Sequence, residues 1–307
     1  SSRKRIKNHR LKNKKIKLLK ILVVAGGWSD EKEVSIMSGK NVFFCLKKNK
    51  YNVSFLNLKK NNIDKILQFK PDILFNCLHG EFGEDGGLNS FANKNKIAIT
   101  HSDGISSALC FNKRLLKKYL KEKLNILSPK EIIYKNLIKL PVISKPNWGG
   151  SSKGIKFLNN KNELNKKINN NQNLIEEVIY GKELTVTVIE NNNKIEALGV
   201  TEIEFDNKHY DYNAKYKKNK SSHFLPARIS KLQYDFLIEI SKEIFSACGC
   251  KGIARLDFIM SKKNEKIFFL EMNTHPGLTK LSLAPEQANY QNLSYLFLLN
   301  QIINSSL

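Results

Sequence analysis

Two short segments carry side chains at spacings suited to phosphate and metal chemistry. Arg255-Leu-Asp257 lies in an apolar, strand-like stretch, and Glu271-Met-Asn273 ends the next one, with SKKNEK between them as a hairpin turn. Side chains alternate between the faces of a strand, so Arg255 and Asp257 share one face. Glu271 and Asn273 share one face of the partner strand. Asp257, Glu271 and Asn273 then make a set of hard oxygen donors, suited to Mg²⁺ or Mn²⁺ shared with a nucleotide's phosphates. The bland alternative is a surface hairpin with solvated charges. Leu256, Phe258, Phe268, Phe269 and Leu270 argue against it, because they mark both strands as buried, where unpaired acids are costly.

A second candidate is the loop Lys145-Pro-Asn-Trp-Gly-Gly-Ser-Ser-Lys-Gly154. Glycine-exposed backbone N–H groups, two hydroxyls and flanking lysines could cradle a polyphosphate. The loop is not a Walker A sequence, since Ile155 follows Gly154, and no GxGxxG occurs. Taken alone it reads equally well as an ordinary turn between strands.

The elements around these segments set the fold class. From Ile21 to Thr100 strand-like and helix-like stretches alternate: ILVVAGG, a helix over Glu33–Lys48, VSFLNL, IDKILQF, DILFNCLHG, GGLNSFANKN and KIAIT. That βαβαβαβ order implies a mostly parallel sheet with ligands beyond the carboxyl ends of its strands. WSDEKE and HGEFGEDGG are the polar loops at those ends. Beyond 106 come a Lys-rich helix (112–123), strands EIIY, LPVISKP and GIKFL, a polar helix and LIEEVI. Then follow ELTVTVIE, KIEALGVTEIEF, an amphipathic helix (231–248) and the hairpin. The expected class is α/β and α+β: a basic tail (1–20) read as a disordered arm, a parallel α/β subdomain (21–105), a central subdomain (106–180) and a C-terminal one (181–307). The stretch 206–224 lacks apolar periodicity and is expected to be a lid.

Composition narrows the function classes. The chain has 307 residues and a 41% hydrophobic content, enough for real cores. It has no apolar run of spanning length, so membrane insertion is not expected. Five cysteines without a C-x-x-C pair read as reduced, mostly buried thiols of a cytosolic protein. The net charge of +24 suggests nucleic acid, yet ten of the 52 Lys and Arg fall in the first twenty residues, which hold no acid. Elsewhere Lys mixes with Asn and Ile, all with A/T-rich codons, and aromatics are not interleaved with the Lys runs as stacking platforms would be. Nucleic acid is therefore not expected beyond nonspecific binding by the tail.

At this point the motifs carry a family resemblance. His79-Gly-Glu-Phe-Gly-Glu-Asp-Gly86, Lys145-Pro with Gly150-Ser-Ser152, Tyr210-Asp-Tyr-Asn-Ala-Lys-Tyr216, Arg255-Leu-Asp257 and Glu271-Met-Asn-Thr-His-Pro-Gly277 occur in the order found in D-alanine–D-alanine ligases. The resemblance runs from about Ile21 onward. It implies a two-subdomain ATP-grasp fold behind the α/β subdomain, with ATP held between the two. It also implies ligation of two D-alanines through a D-alanyl phosphate, Mg²⁺ or Mn²⁺ as two ions, a homodimer and a bacterial cytoplasm.

The same resemblance implies roles, residue by residue. Lys113 and Lys145 match lysines that bind ATP phosphates, and Lys215 one that covers the transferring group. Ser151 and Ser152 belong to the nucleotide loop, and Glu176 and Glu183 fall where adenine and ribose are contacted. Asp257, Glu271 and Asn273 match the metal ligands. Arg255 and the backbone N–H of Gly277 match the groups facing the tetrahedral oxyanion. Glu31 matches the acid that receives the first D-alanine's ammonium, with His79 beside that substrate and Ser151 and Tyr216 linked to the acid. Ser282, followed by Leu283, matches the serine holding the second substrate's carboxylate. His79 also reads as a capping or core histidine, and Glu31 as a helix N-terminal acid. Asn147, Trp148, Gly149, Lys153, Glu177, Val178, Met272 and His275 depart from the family pattern, but no catalytic group is missing.

Two rival readings differ in the second substrate or in class. A same-fold ligase taking D-lactate or D-serine second is disfavoured by Tyr216, generally absent from relatives that make depsipeptide. A non-catalytic anion- or RNA-binding protein on a retired scaffold is disfavoured because Lys145, Lys215, Arg255, Asp257, Glu271 and Asn273 are all present.

Overall fold

A computed structural model describes residues 16–133, 139–150, 154–167, 172–191, 194–205 and 221–307. The first sheet is β1 (Ile21–Gly26), β2 (Val53–Leu58), β3 (Ile73–Asn76) and β4 (Ala98–Ile99). Its order is β2-β1-β3-β4 and every pairing is parallel, as the alternating pattern requires. Helices α1 (Lys32–Lys48), α2 (Lys65–Gln68) and α3 (Gly87–Lys94) make the crossovers. β1 and β3 are buried along their whole length, the mark of strands covered on both faces.

α4 (Gly104–Phe111) and α5 (Lys113–Leu124) follow, capped by Asp103 and Asn112, whose side chains accept from Ser106 N and Leu115 N. β5 (Val142–Pro146), β6 (Lys156–Leu158) and β7 (Asn173–Glu177) form a three-stranded antiparallel sheet in the order β6-β5-β7, with α6 (Lys161–Lys167) between β6 and β7. The expected strand EIIY does not form among the described residues: Glu131 makes only an isolated bridge to Glu176.

The largest sheet holds β8 (Gly181–Asn191), β9 (Lys194–Phe205), β10 (Ser221–Phe224), β11 (Ile253–Ser261) and β12 (Ile267–Asn273), in the order β10-β9-β8-β11-β12 and antiparallel throughout. α7 (Lys231–Ala247), opened by a capping box of Ser230 and Gln233, packs across it. Leu184, Val186, Leu256 and Phe258 alternate onto that covered face with Leu237, Ile244 and Phe245. Thr185, Thr187, Arg255 and Asp257 therefore point to the other face. Two helices without a sequence-based expectation, α8 (Leu283–Tyr290) and α9 (Tyr295–Asn304), end the chain.

The cores cross the expected boundaries. Leu298, Leu299, Ile302 and Ile303 of α9 join Val23, Phe75 and Val42 in the core of the first sheet. Cys110 and Leu116, Leu120 of α4 and α5 join the core of the largest sheet instead of the central one. Apolar burial at these joints, at about 25 cal/mol per Å², ties the subdomains together.

Two expectations need correction. The basic segment is not a free arm through residue 20: Ile16 is 1% exposed within the first core, Asn52 N donates to Lys17 O, and Lys20 N donates to Asp72 Oδ2 at 2.7 Å. An apolar residue every few positions let that end dock. The stretch 206–224 is not a lid to its end, because Ser221–Phe224 pair with β9 as an edge strand, and Arg228 stacks 3.4 Å over the Phe224 ring. The remainder, 206–220, lies outside the described residues, as do 1–15. All five cysteines are free thiols and all but Cys45 are buried, as expected. No described helix is long and apolar enough to cross a membrane.

Candidate active site

The register of the hairpin builds the centre of the site. Arg255 lies opposite Asn273 and Asp257 opposite Glu271, so all four reach the same face of the largest sheet. A β-bulge follows at once: Phe258 pairs with Phe269, leaving Leu270 as the extra residue on β12. Leu270 and Glu271 consequently both line the cleft between this sheet and the central one. The cleft has a volume of about 240 Å³, and Lys145, Glu183, Asp257 and Leu283 also line it.

Charge inside the cleft is dense and balanced. Arg255 grips Asp257 with two bonds, Nε to Oδ1 at 3.0 Å and a terminal nitrogen to Oδ2 at 2.8 Å. Thr185 Oγ1 donates to the same Oδ1 at 2.6 Å. Burial alone would lower the Arg255 pKa, but the Asp257 carboxylate and the contact with it outweigh that and raise it. Lys113, the first residue of α5, donates to the Gly149 carbonyl and sits 3.3 Å from Glu271. Burial pushes the Glu271 carboxyl up; Lys113, Lys145 and Arg255 pull harder and hold it below the usual carboxylate range. It is an anion ready to meet a cation.

Glu176 lines the cleft with partners of its own. Its carboxylate, 1% exposed, pairs with Lys145 at 2.6 Å through one oxygen and with Lys117 through the other. The expected adenine or ribose contact therefore faces a carboxylate already committed to two lysines. Burial raises the Glu176 pKa, while Lys117 and Lys145 more than reverse the effect, leaving it below the ordinary value. Burial dominates at Lys117 and brings it down to about 8; at Lys145 the attraction of Glu176 overcomes burial and raises it. Lys117 was not singled out in the sequence. Its signal was there, four residues after Lys113 and so on the same helical face, but it stood among many similar lysines.

The second side of the site comes from the first sheet. Glu31 immediately precedes α1, and a Cβ on Gly150 would come within 3.1 Å of its Oε2, so the glycine loop lies against this acid. Both border a cavity of about 490 Å³ with Ser29, Trp148 and Asp85. Ser29 Oγ donates to the His79 carbonyl at 2.6 Å, and the next residue, Gly80, takes a φ of +72°. His79 is buried with its Nδ1 3.9 Å from Glu84 Oε1, and its Nε2 has no hydrogen-bond partner among the described residues. An unpaired buried ring nitrogen at a strand's carboxyl end is a group waiting for a ligand.

The third part is the loop after β12. Asn273 Oδ1 accepts from His275 N at 2.7 Å. Gly277 packs so closely that a Cβ there would lie 2.8 Å from Ser282 Oγ, which also contacts Thr279 Oγ1 at 2.8 Å. Ser282 caps the start of α8 by position, with Leu283 as its first residue. Three neutral groups extend beneath this loop: His101 and His275 stack at 4.6 Å, and Asn76 contacts His275. Burial lowers the His101 pKa to about 3 and His275 well below its usual value, so both rings are neutral.

The structure thus gathers Lys113, Lys145, Glu176, Glu183, Arg255, Asp257, Glu271, Asn273 and Leu283 about one cleft, with Gly277 and Ser282 on the adjoining loop and Glu31 and His79 on the neighbouring subdomain. Ser151, Ser152, Lys215 and Tyr216 lie outside the described residues. Among the described residues no group of three or more His, Cys, Asp or Glu is placed to hold a metal. A metal here would need an amide oxygen beside its two carboxylates. The donor set fits a hard divalent cation, because Asp257, Glu271 and Asn273 can offer it oxygens from one face of two paired strands.

Known proteins resemble this chain in sequence and in fold. The family model described as D-ala D-ala ligase C-terminus matches residues 117–304. A D-alanine--D-alanine ligase of Rickettsia canadensis (strain McKiel) is 38% identical over 93% of this chain and 83% of its own length. One of Pelagibacter ubique (strain HTCC1062) is 39% identical, over 94% of this chain and 98% of its own. Among solved structures, the VanG D-Ala:D-Ser ligase from Enterococcus faecalis aligns with a TM-score of 0.79 at 28% identity, over 94% of this chain and 99% of that one. A D-alanine--D-alanine ligase from Bacillus anthracis complexed with ATP aligns with a TM-score of 0.76 at 28% identity, over 94% and 96%. The chain belongs to the D-alanine–D-alanine ligase family and has its ATP-grasp fold.

Proposed function

We propose that the protein joins two D-alanines at the expense of ATP, supplying the dipeptide for peptidoglycan precursors. The observation that carries this reading is the convergence of Lys113, Lys145, Arg255, Asp257 and Glu271 in one cleft, with Glu31 on the cavity beside it. The first D-alanine binds with its ammonium at Glu31 and its carboxylate directed at the γ-phosphate of ATP. The carboxylate oxygen attacks phosphorus, ADP leaves, and a D-alanyl phosphate results. The amine of the second D-alanine, its carboxylate held by Ser282, attacks the acyl carbon. The attacking nitrogen releases a proton to solvent, and phosphate departs from the tetrahedral intermediate as the carbonyl of the new peptide bond re-forms.

The residues supply positioning and charge. Lys113 and Lys145 hold the ATP phosphates, and Lys215 covers the transferring group, offsetting charge on the phosphoryl oxygens. Arg255 and the N–H of Gly277 face the oxyanion. Ser151 and Tyr216 link to Glu31, Ser152 completes the nucleotide loop, and Glu183 takes the ribose. Asp257, Glu271 and Asn273 would hold Mg²⁺ or Mn²⁺, as two ions, which would neutralise phosphate charge as a Lewis acid does. Segment 206–220 would close over the nucleotide and exclude water from the acylphosphate. The domain division, a homodimer and a bacterial cytoplasmic location belong to the same reading.

ADP release measured with Mg·ATP and single amino or hydroxy acids, with products identified by mass, tests it. D-alanine should give D-Ala-D-Ala; equal turnover with L-alanine, or none with any D-amino acid, would sink the assignment. The likeness to a D-Ala:D-Ser ligase makes D-serine the second reading, and a mixed product in that assay would favour it.

A further inference from the structure

A buried pair of histidines joins the two loops that must meet for this chemistry. His101, just after β4, has a backbone φ of +72°, a conformation that favours glycine, and is 3% exposed. Its ring stacks on His275, two residues past Asn273, with centroids 4.6 Å apart and planes at 29°. Such a backbone persists only where the surroundings hold it, and here the held object is an aromatic partner for His275.

The hydrogen bonds around the pair leave one arrangement. Asn76, at the end of β3, accepts from Leu78 N through Oδ1 at 3.0 Å. Its Nδ2 therefore faces the other way and gives its two hydrogens to the Gly83 carbonyl at 3.2 Å and to His275 Nε2 at 3.1 Å. His275 Nε2 must then be an acceptor, with the ring proton on Nδ1, where Thr274 Oγ1 lies at 3.0 Å. The His101 ring is fixed in turn by Thr100 Oγ1 at 2.9 Å, and Thr100 accepts from Asn76 N at 3.0 Å. Leu78 and Gly83 bracket residues 79–82, the turn that carries His79. His275 N binds Asn273 Oδ1 at 2.7 Å. One imidazole thus has Asn76 on one side and the Asn273–Gly277 loop on the other.

We propose that His275, held by His101 and Asn76, is a positioning residue for ligation: it fixes the loop carrying Asn273 and Gly277 against the loop that receives the first D-alanine. This rests on the ligase reading above. Misplacing a reacting carboxylate by about 1 Å costs about 10²-fold in rate, so the pair would act on substrate placement without touching substrate.

The test compares His275→Phe, which keeps an aromatic ring but removes both ring hydrogen bonds, with His275→Gln, whose Oε1 can accept from Asn76 in place of Nε2. Full initial-rate kinetics on the intact enzyme separate kcat, KM for ATP and KM for the first D-alanine; thermal melts report folding. His275→Phe should raise KM for the first D-alanine and lower kcat, together about 10-fold or more in kcat/KM, with a smaller change in KM for ATP. His275→Gln should recover most of that loss. A merely structural role would lower the active fraction and leave KM for D-alanine unmoved, and that result would overturn the proposal, as would Gln being as impaired as Phe. Should His275→Phe fail to fold, His101→Gly removes the stack with the residue that the backbone favours. A rise in KM for D-alanine in that variant supports the proposal, and an unchanged KM overturns it. If the parent enzyme makes no D-Ala-D-Ala, the ligase reading itself has failed.

Discussion

The two halves of the site are built from opposite materials. Around the central cleft, Lys113, Lys117, Lys145 and Arg255 face Glu176, Asp257 and Glu271, and each buried charge has a counter-charge within 3.3 Å. On the amino-acid side, the buried framework around His275 is neutral: two stacked imidazoles, an amide and two threonine hydroxyls. A polyphosphate arrives with many negative charges and needs a field; a small zwitterion needs a shape with a few fixed contacts. Charge pairs give the first, because opposite charges can be separated when the ligand enters. Neutral hydrogen bonds give the second, because their geometry is directional and indifferent to the charge next door.

If that contrast holds, breaking the charged half should cost most. Arg255→Ala should lower kcat by about 10²-fold or more, the loss typical of an oxyanion donor, and initial rates at saturating ATP check it. Lys117→Met leaves Glu176 with one partner for a buried carboxylate. It should cost about 3 kcal/mol in unfolding free energy by denaturant titration, and mispoint Lys145 so that KM for ATP rises. Ile16→Ala should cost about 2 kcal/mol by cavity formation without changing KM for either substrate. Removal of residues 1–15 should leave kcat nearly as it is.

A pH series sharpens the contrast at the low end of the scale. Glu176 and Glu271 have folded-state pKa values below the ordinary glutamate value of 4.5. The stability they contribute is therefore complete above pH 4.5 and is lost as pH falls through the folded values. Melting temperature against pH should show an acid limb that Glu176→Gln flattens by part of its height. An unchanged limb would mean that the lysines do not hold Glu176 ionised.

What could be read from residues alone follows the range of the physics involved. Alternation within a strand placed Arg255 with Asp257 and Glu271 with Asn273, and the hairpin register then brought them face to face. The parallel order of the first sheet followed from local periodicity too. Lys117 was hidden by composition: its spacing from Lys113 was visible, but nothing local set it apart from its neighbours. The lysine partners of Glu176 could not be read, since they lie 59 and 31 residues away and only packing brings them to its carboxylate. His101 and His275 are 174 positions apart. The docking of Ile16 and the edge pairing of Ser221–Phe224 likewise depend on surfaces that exist only after folding.

Synthesis imposes an order on the core that α9 completes. Tyr51 Oη donates to Asn300 Oδ1 at 2.7 Å across 249 positions, and Leu299, Ile302 and Ile303 cover the same flank of the first sheet. At about 5–20 residues per second, that flank waits roughly 10 to 50 s on the ribosome for its cover. During the wait, strands already able to pair, with α1 beside them, present Val23, Phe75 and the helix's Val42 to the cell. The N-terminal subdomain is therefore the first to be made and among the last to be finished, and a chaperone that holds apolar surface has its longest opportunity there.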